Sequence, residues 1–236
     1  MIKDLWLFIN IAISTFIFSI LVIIIGLFDK SKKYTGFAIQ LWSKWILFSS
    51  FIKYNIKGLN NIDDEENYIF ISNHQSAMDV VLTFALIPKP ISFFTKKELF
   101  YIPLFGWAMK MAGMVEVDRR NKEKSKLCVD AAISKYNKTN LSFLVYPEGT
   151  RTSYEKLNEF KKGGFIFSIK AKSKIVPLTL VYTNKNSNFR RNVTIIVDKP
   201  ISTLNYKVEQ KDKLIVKVKD IINLNLENTI KTGTND

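Results

Sequence analysis

The residues best suited to chemistry in this chain lie in a short polar segment that contains the only histidine. His74 is followed five positions later by Asp79. Histidine can take up and release a proton near neutral pH, and a nearby aspartate can orient the ring and stabilise its cationic form. The pair therefore predicts a general base, although the same spacing also occurs where a histidine is only structural.

Two further segments place charged groups at the ends of predicted strands. In one, Gly113 leads into a short strand that ends before Arg119. In the other, an apolar strand ends in a turn that carries Glu148, Gly149, Thr150 and Arg151. Ligands collect at strand ends in α/β sheets, and the planar fork of arginine suits phosphate. Two arginines on separate strand ends could hold one phosphomonoester, whereas either alone is typical of a surface ion pair.

Two other clusters are less specific. Lys96 and Lys97 could add positive potential beside a phosphate, and the aromatic run at 100–107 could either shape a groove for an acyl chain or pack in the core. Pro177 interrupts the apolar run at 175–178. Because proline cannot donate to a strand ladder, it predicts a sheet edge or a bulge.

Composition limits the classes of function. The 236 residues are enough for one α/β domain and a membrane element. The excess of 35 Lys+Arg over 21 Asp+Glu, a net charge of +14, favours anionic partners, although a merely basic surface needs none. A single cysteine, Cys128, excludes an internal disulfide and fits a reducing compartment. With one His and one Cys, a zinc site of such ligands is not expected, and no metal is predicted.

The N-terminal segment 5–28 is almost wholly apolar and carries no charged residue. As a helix it would be about 36 Å long, enough to span a hydrocarbon core of about 30 Å. Its length and the lack of a small-residue cleavage site favour a retained membrane segment over a signal peptide. Lys30, Lys32 and Lys33 follow it, which predicts that the rest of the chain lies on the cytoplasmic face.

A second helix is predicted after these lysines, because Phe37, Leu41, Trp45, Phe48 and Ile52 recur at helical spacing. Its amphipathic pattern and its tryptophans predict a helix that lies along the membrane surface. Two alternatives remain open. The helix could belong to the core of the domain, or the two helices could form a hairpin that dips into one leaflet without crossing.

Apolar runs typical of strands and helices then alternate, which predicts an α/β domain with a central, mainly parallel or mixed sheet flanked by helices. Predicted strands are 54–57, 68–72, 91–95, 114–117, 142–146, 175–181 and 193–197, and predicted helices are 77–86, 104–111, 122–138, 164–171 and 211–226. The predicted division is a membrane-anchoring two-helix region at 1–52, a catalytic α/β domain at 53–228 and a polar tail at 229–236.

In this order and spacing, the motifs resemble those of the glycerolipid acyltransferase family, nearest to the 1-acylglycerol-3-phosphate (lysophosphatidic acid) acyltransferases. Asn73-His74 with Asp79 resembles the first family block, 113–119 the second, 146–151 the third and 175–177 the fourth. The resemblance covers about residues 55 to 200. Lys174 replaces a frequent proline of the fourth block, and Glu116 puts a charge where the second block is usually apolar.

The resemblance implies an O-acyltransferase that makes phosphatidic acid on a membrane. It implies that His74, oriented by Asp79, activates the free hydroxyl of a lysophospholipid, which attacks an acyl thioester. Acyl-CoA or acyl carrier protein would be the co-substrate, with no bound cofactor. Oxyanion donors are expected among backbone N–H groups near Pro177 or in the first block. The substrate side is predicted to include Asn73, Lys96, Lys97, Gly113, Arg119, Glu148, Gly149, Thr150, Arg151 and Pro177.

Other functions remain as alternatives. The acceptor could be another lysophospholipid, glycerol-3-phosphate or an amino-lipid. A hydrolase that uses Ser76 would leave both arginine motifs unexplained, and Cys128 is expected to be an inert thiol in a helix. A membrane-anchored protein that binds nucleic acid or anionic lipid through its basic surface is a distant alternative. It would give no role to the His–Asp pair, and no nucleic acid is expected as a partner.

Overall fold

The structure is a computed structural model that describes residues 2–117, 122–152, 157–182 and 192–233. Strands and helices alternate after two N-terminal helices. The strands are β1 (Lys53–Lys57), β2 (Tyr68–Ser72), β3 (Ile91–Lys96), β4 (Val115–Val117), β5 (Ser142–Val145), β6 (Lys174–Tyr182), β7 (Asn192–Val197) and β8 (Ile201–Ser202). The helices are α1 (Ile2–Phe28), α2 (Lys33–Ser49), α3 (Met78–Leu86), α4 (Phe105–Met111), α5 (Lys122–Lys138), α6 (Gly163–Lys170) and α7 (Lys211–Gly233).

Most predicted elements are confirmed to within two residues, and the differences have local causes. The two-residue strand β8 was not predicted, since so short a run has no periodicity to detect. The predicted polar tail at 229–236 is wrong over its first part, because α7 continues to Gly233. The last three residues, 234–236, lie outside the described part of the chain.

The chain divides into two compact units that do not follow the predicted boundary at residue 52. The first unit comprises Met1–Ser50 and Val80–Phe143, and the second comprises Phe51–Asp79 and Leu144–Asp236. The two N-terminal helices therefore share a unit with the middle of the chain. They are packed into the fold and are not a separate appendage.

In the first unit, α1 and α2 pack against each other and are joined by a turn that Asp29 organises. The Asp29 carboxylate accepts hydrogen bonds from the Ser31 hydroxyl, at 2.8 Å, and from the backbone N–H of Thr35, also at 2.8 Å. The Thr35 bond satisfies a donor in the first turn of α2, which no earlier carbonyl can reach. This unit also contains the parallel pair β3 and β4, which is aligned at Phe94 and Val115.

The face of α2 that packs against protein is not the predicted apolar stripe. Its buried residues are Thr35, Ala38, Ser43, Ile46 and Leu47. The predicted stripe lies outside: Phe37 is 59% exposed and Phe48 is 75% exposed. The reading of this stripe as part of the domain core is therefore wrong, and the stripe remains available to a membrane.

The second unit contains a mixed sheet with the strand order β1-β7-β6-β2. β1 runs parallel to β7 and β2 parallel to β6, whereas β6 and β7 are antiparallel. Every residue of β2 is buried, as its unbroken apolar run predicts for a central strand. Helix α7 packs on β6 through a stripe with four-residue spacing, formed by Leu214, Val218, Ile222 and Leu226.

Pro177 does not mark a sheet edge, because β6 has β2 on one side and both β7 and β8 on the other. It lies where the second side changes partner. β8 pairs with Lys174 and Ile175, and pairing with β7 begins at Leu178. The missing N–H of the proline therefore falls between two ladders and interrupts neither.

Candidate active site

The position of His74 is set by the residue before it. Asn73 follows the last residue of β2, and its side chain is fully buried. Its amide nitrogen donates to the carbonyl of Leu180 and its amide oxygen accepts the N–H of Leu180, both at 2.9 Å. This two-bond bridge fixes the end of β2 to β6. Both bonds use the amide inside the protein, and the predicted role of Asn73 in substrate binding stays a prediction.

His74 and Asp79 form the predicted pair. The imidazole Nδ1 lies 2.8 Å from Asp79 Oδ2, and Asp79 is in the first turn of α3. Asp79 is fully buried, whereas the His74 side chain keeps 16% of its surface exposed. If Nδ1 carries the proton and donates it to the carboxylate, Nε2 keeps the lone pair that a general base requires.

The Asp79 carboxylate is itself held by backbone and side-chain donors. Its Oδ2 also accepts the N–H groups of Gln75, at 2.7 Å, and Ser76, at 2.8 Å. Its Oδ1 accepts a short hydrogen bond from the hydroxyl of Tyr182. A buried carboxylate requires such partners, since an unpaired buried charge is costly. They hold the carboxylate in one orientation toward the imidazole.

Tyr182 is a site residue that the sequence motifs did not reveal. It is the last residue of β6 and is buried. Burial, and then the neighbouring Asp79 carboxylate, raise the pKa of Tyr182 above its ordinary value. The phenol therefore stays protonated and keeps donating throughout the neutral range. The only hint in the sequence was a tyrosine at the end of an otherwise apolar strand.

Tyr146 contacts the imidazole from one side. The two rings are stacked, with centroids 4.1 Å apart and planes 19° apart. Tyr146 directly follows β5, so the strand end delivers this ring to the histidine. The stacking restricts rotation of the imidazole and shields one of its faces from water.

Glu148 is buried, and both of its carboxylate oxygens accept hydrogen bonds from the backbone. Oε1 lies 3.0 Å from the N–H of His74, and Oε2 lies 2.9 Å from the N–H of Asn158. Glu148 thus ties the histidine backbone to the segment that follows the turn. Its predicted place on the substrate side stays a prediction.

The next residues of the turn complete the hold on His74. The backbone N–H of Thr152 donates to the His74 carbonyl at 2.9 Å, and the Thr152 hydroxyl donates to the same oxygen at 3.2 Å. The N–H and the C=O of His74 are therefore both bonded to the segment 148–152. Thr152 lies just past the motif and was not predicted.

Gly149 leaves room for the Lys161 side chain to pack against this turn. Its φ of +72° is unfavourable for residues with a side chain, and a Cβ at this position would lie 2.4 Å from Lys161 Nζ. The ammonium group thus rests against the turn that carries Thr150 and Arg151, both of them exposed. Arg151 in this turn and Lys161 against it therefore provide positive charge on the segment that is bonded to the histidine backbone.

The other predicted substrate residues lie in the first unit, inside β6 or outside the described residues. Lys96, Lys97 and Gly113 belong to the first unit, where Lys96 is exposed and the Gly113 carbonyl accepts from Lys135 Nζ at 3.0 Å. Arg119 lies outside the described residues. Pro177 is buried inside β6.

The expected oxyanion donors of the first block are already engaged. The N–H groups of His74, Gln75 and Ser76 each donate to a carboxylate, of Glu148 or of Asp79. Pro177 has no N–H. In the described parts of the chain, no group of three or more His, Cys, Asp or Glu side chains is placed to hold a metal ion.

Comparison with known proteins identifies the family. Residues 53–181, more than half of the chain, match the family described as Acyltransferase. The chain belongs to the acyltransferase family. The match spans the histidine cluster from Asn73 to Thr152 and all of β6 except its last residue, Tyr182.

Several curated relatives of this acyltransferase-family chain share one name, 1-acyl-sn-glycerol-3-phosphate acyltransferase. The chloroplastic protein of Arabidopsis thaliana is 34% identical over 78% of this chain and 55% of its own length. The Salmonella typhimurium protein is 32% identical over 64% of each chain, and that of Escherichia coli is 31% identical over 67% of this chain and 68% of its own. The chain thus spans about half to two thirds of these relatives.

The fold of this family member is also found in a solved structure. A crystal structure of the 1-acyl-sn-glycerophosphate acyltransferase of Thermotoga maritima superimposes with a TM-score of 0.79 at 20% identity. The match covers 97% of this chain and 95% of that one. The predicted fold class, an α/β fold with a central mixed sheet and flanking helices, is confirmed.

Proposed function

We propose that this chain transfers a fatty acyl group from an acyl thioester to the free hydroxyl of 1-acylglycerol-3-phosphate and so forms phosphatidic acid. The observation that carries the proposal is the His74–Asp79 pair. The backbone of His74 is bonded to Glu148, its ring stacks on Tyr146, and its Nδ1 lies within hydrogen-bond distance of Asp79. The names of its curated relatives support this acceptor.

The proposed mechanism has two proton transfers. His74 Nε2 removes the proton from the acceptor hydroxyl as its oxygen attacks the thioester carbonyl, and Asp79 stabilises the imidazolium that forms. The C–S bond then breaks, and the leaving thiolate takes the proton from His74. General base assistance of this kind is worth about 10²–10⁴-fold. A thiolate leaves readily, so the reaction as proposed involves no bound cofactor.

The acceptor phosphate is proposed to bind the cations of the third block and the second block. Arg151 lies in the turn that leads to Thr152, and Lys161 Nζ lies against Gly149 of the same turn. Because Thr152 is bonded to the His74 carbonyl, a phosphate held there would lie near the histidine. The family resemblance adds Arg119. The donor is an acyl-CoA or an acyl-acyl carrier protein, and Lys96 and Lys97 would supply further positive charge.

The decisive assay uses purified full-length protein with labelled 1-acylglycerol-3-phosphate and each donor in turn. His74→Ala and Asp79→Asn are expected to lose nearly all phosphatidic acid formation. Cys128→Ser is the matched control. The Cys128 thiol lies on α5 and donates to a backbone carbonyl at 3.0 Å, a bond that a serine hydroxyl can also make, so this variant should keep its activity. Wild-type product from the His74→Ala protein would refute the mechanism, and full activity with a different acceptor alone would refute the substrate.

We also propose that the N-terminal helices attach the enzyme to the cytoplasmic face of a membrane. Among the described residues, α1 is the one helix long and apolar enough to cross a bilayer, by length and composition. Lys30, Lys32 and Lys33 follow it. Transfer of each CH₂ group of a lipid substrate from the bilayer into water costs about 0.8 kcal/mol. An enzyme attached to the membrane avoids this cost, so attachment would favour turnover.

The single cysteine offers a test of this orientation. Cys128 belongs to the same compact unit as α1 and is partly exposed. A membrane-impermeant maleimide added to intact cells is expected to leave it unlabelled and to label it after permeabilisation. Labelling in intact cells would place this unit on the outer face, and Cys128→Ser controls for unspecific reaction.

A further inference from the structure

Four large apolar side chains of the first unit lie together in sequence and are exposed. Leu99 is 36% exposed, Tyr101 68%, Ile102 46% and Trp107 56%, and we call these four residues the apolar patch. Among their neighbours in the chain, Phe100 and Ala108 are buried, each at 6% exposure. The alternative in which this run packs in the core is therefore wrong for the patch, and its role in shaping an acyl groove stays a prediction.

The backbone of the patch is held in a constrained conformation. Leu104 has φ +63° and ψ −57°, and the N–H of Phe105 donates to the Pro103 carbonyl at 2.7 Å, which is a γ-turn. Gly106 packs so closely on Phe100 that an added Cβ would lie 2.1 Å from the Phe100 carbonyl oxygen. A turn this costly persists only where the surrounding structure holds it. The exposure of the patch is thus built into the fold.

One residue of the patch, Trp107, lies on a helix that contacts the end of the apolar helix α1. Helix α4 carries Trp107 and packs along α1. At the contact, a Cβ on Gly26 would lie 2.6 Å from the Cβ of Met111. The side chain of Met111 on α4 therefore packs directly on the backbone of α1. Gly26 is two residues before α1 ends at Phe28, and the lysines of the following turn begin at Lys30.

Lysines outnumber acidic residues next to the patch, since Glu98 is the one acidic residue between positions 96 and 110. Lys96 and Lys110 are exposed, and Lys97 Nζ lies 5.9 Å from the centre of the Tyr101 ring. Tryptophan and tyrosine favour the level of the lipid headgroups, and lysine favours the anionic phosphates there. An apolar surface that includes a residue of a helix packed on α1 and is flanked by lysines matches a bilayer better than another protein.

We infer that the apolar patch is a second membrane contact, separate from α1 and α2, which inserts Trp107, Tyr101 and Ile102 at the headgroup level of an anionic leaflet. This inference rests on the proposed attachment through α1. As a consequence, the first unit contacts the membrane at two places: through the N-terminal helices and through the apolar patch. Interfacial groups of this kind lie about 5–10 Å into the headgroup and acyl boundary.

Tryptophan fluorescence of the full chain in nanodiscs tests the contact. The lipids are phosphatidylcholine and phosphatidylglycerol, with or without brominated acyl chains. Trp107 becomes the only tryptophan when the others are replaced by phenylalanine: Trp6, Trp42 and Trp45. The matched control carries Trp107→Phe with Leu127→Trp in the same background, because Leu127 is 67% exposed on α5 of the same unit.

We expect brominated lipid to quench Trp107 several-fold more than the Leu127→Trp control, and aqueous acrylamide to show the reverse order. Equal quenching of the two positions by acrylamide would overturn the inference. Protection from acrylamide without quenching by brominated lipid would also overturn it, since protein would then cover the patch. If alkaline carbonate extracts the protein from membranes, the attachment through α1 fails first and this inference with it.

A second measurement avoids the tryptophan substitutions. A nitroxide label is attached to Ile102→Cys in a Cys128→Ser background and, as control, to the native Cys128. Insertion predicts that the label at position 102 is more accessible to oxygen and less accessible to a water-soluble nickel chelate than the label at Cys128. The same accessibility at both positions would contradict insertion even if the hairpin remains in the bilayer.

Discussion

Tyr182→Phe separates the positioning of the catalytic pair from the pair itself. The change removes one hydroxyl and keeps the ring that packs at the end of β6. Asp79 then loses one donor to its Oδ1, while the bonds to Oδ2 remain. A hydrogen bond to a charged group contributes about 1.5–3 kcal/mol. For a chain of this size, that corresponds to a fall in Tm of about 3–12 °C.

The kinetic effect should appear in turnover. The carboxylate can rotate once Oδ1 is released, and the imidazole then spends less time in the reactive orientation. If the whole loss is expressed in the transition state, kcat falls up to roughly a hundredfold, because each 1.4 kcal/mol is a factor of ten. The KM for the acceptor should change little, since the hydroxyl is buried and does not reach the substrate side.

The stability difference should also depend on pH in one direction. Because the pKa of Tyr182 is raised in the folded state, its contribution is fully present below about 10, the ordinary pKa of tyrosine. Above that pH the unfolded tyrosine ionises and the folded one does not. The advantage of the wild type over Tyr182→Phe should then shrink by about 1.4 kcal/mol per pH unit.

Tyr68→Phe is the matched control for these measurements. Tyr68 is a buried tyrosine of the same sheet, its pKa is also raised by burial, and its hydroxyl accepts the N–H of Asp63 at 2.9 Å. It should lose stability and keep kcat. If both variants keep kcat, or if Tyr182→Phe raises only the KM, the positioning role of Tyr182 is refuted. Thermal unfolding from pH 7 to 11 and initial rates at pH 7.5 supply both readouts.

Three other predictions follow from single contacts. Glu148→Gln turns an amide NH₂ toward a backbone N–H, so it should lower stability by about 1–3 kcal/mol together with kcat; a change in acceptor KM alone would argue for a substrate contact. Arg151→Lys keeps the charge but loses the fork, so the acceptor kcat/KM should fall roughly ten- to a hundredfold with the donor KM unchanged. Burial, partly offset by the hydrogen bond from Asn225, raises the pKa of Asp198, so Asp198→Asn should slightly raise Tm at pH 7 and not at pH 3.

The sequence predicted the regular elements well because their signals are local. The unbroken apolar run of β2 and the helical spacing in α7 depend only on residues that are near in the chain. The sequence predicted helix α2 and its apolar stripe, and of the alternatives for that stripe only burial in the domain core is wrong. Amphipathic spacing identifies an apolar stripe, but it does not say whether protein or lipid covers that stripe.

The roles within the site were harder to predict, because polar side chains are assigned by what surrounds them. Asn73 and Glu148 lie in motifs that suggest contact with substrate, yet both are buried and bonded to backbone groups more than seventy residues away in the chain. A buried polar group must find hydrogen-bond partners within the protein, so a motif residue that is buried connects parts of the backbone.

The sequence by itself determined the candidate residues for the proposed chemistry: one histidine, an aspartate five positions later, and arginines after predicted strands. These are properties of residue type and short spacing. Only the tertiary structure decided how that histidine is held, because Tyr182, Tyr146 and Thr152 reach it from β6 and from the segment after β5. Such contacts depend on strand order, and strand order is a property of the whole sheet that no local pattern records.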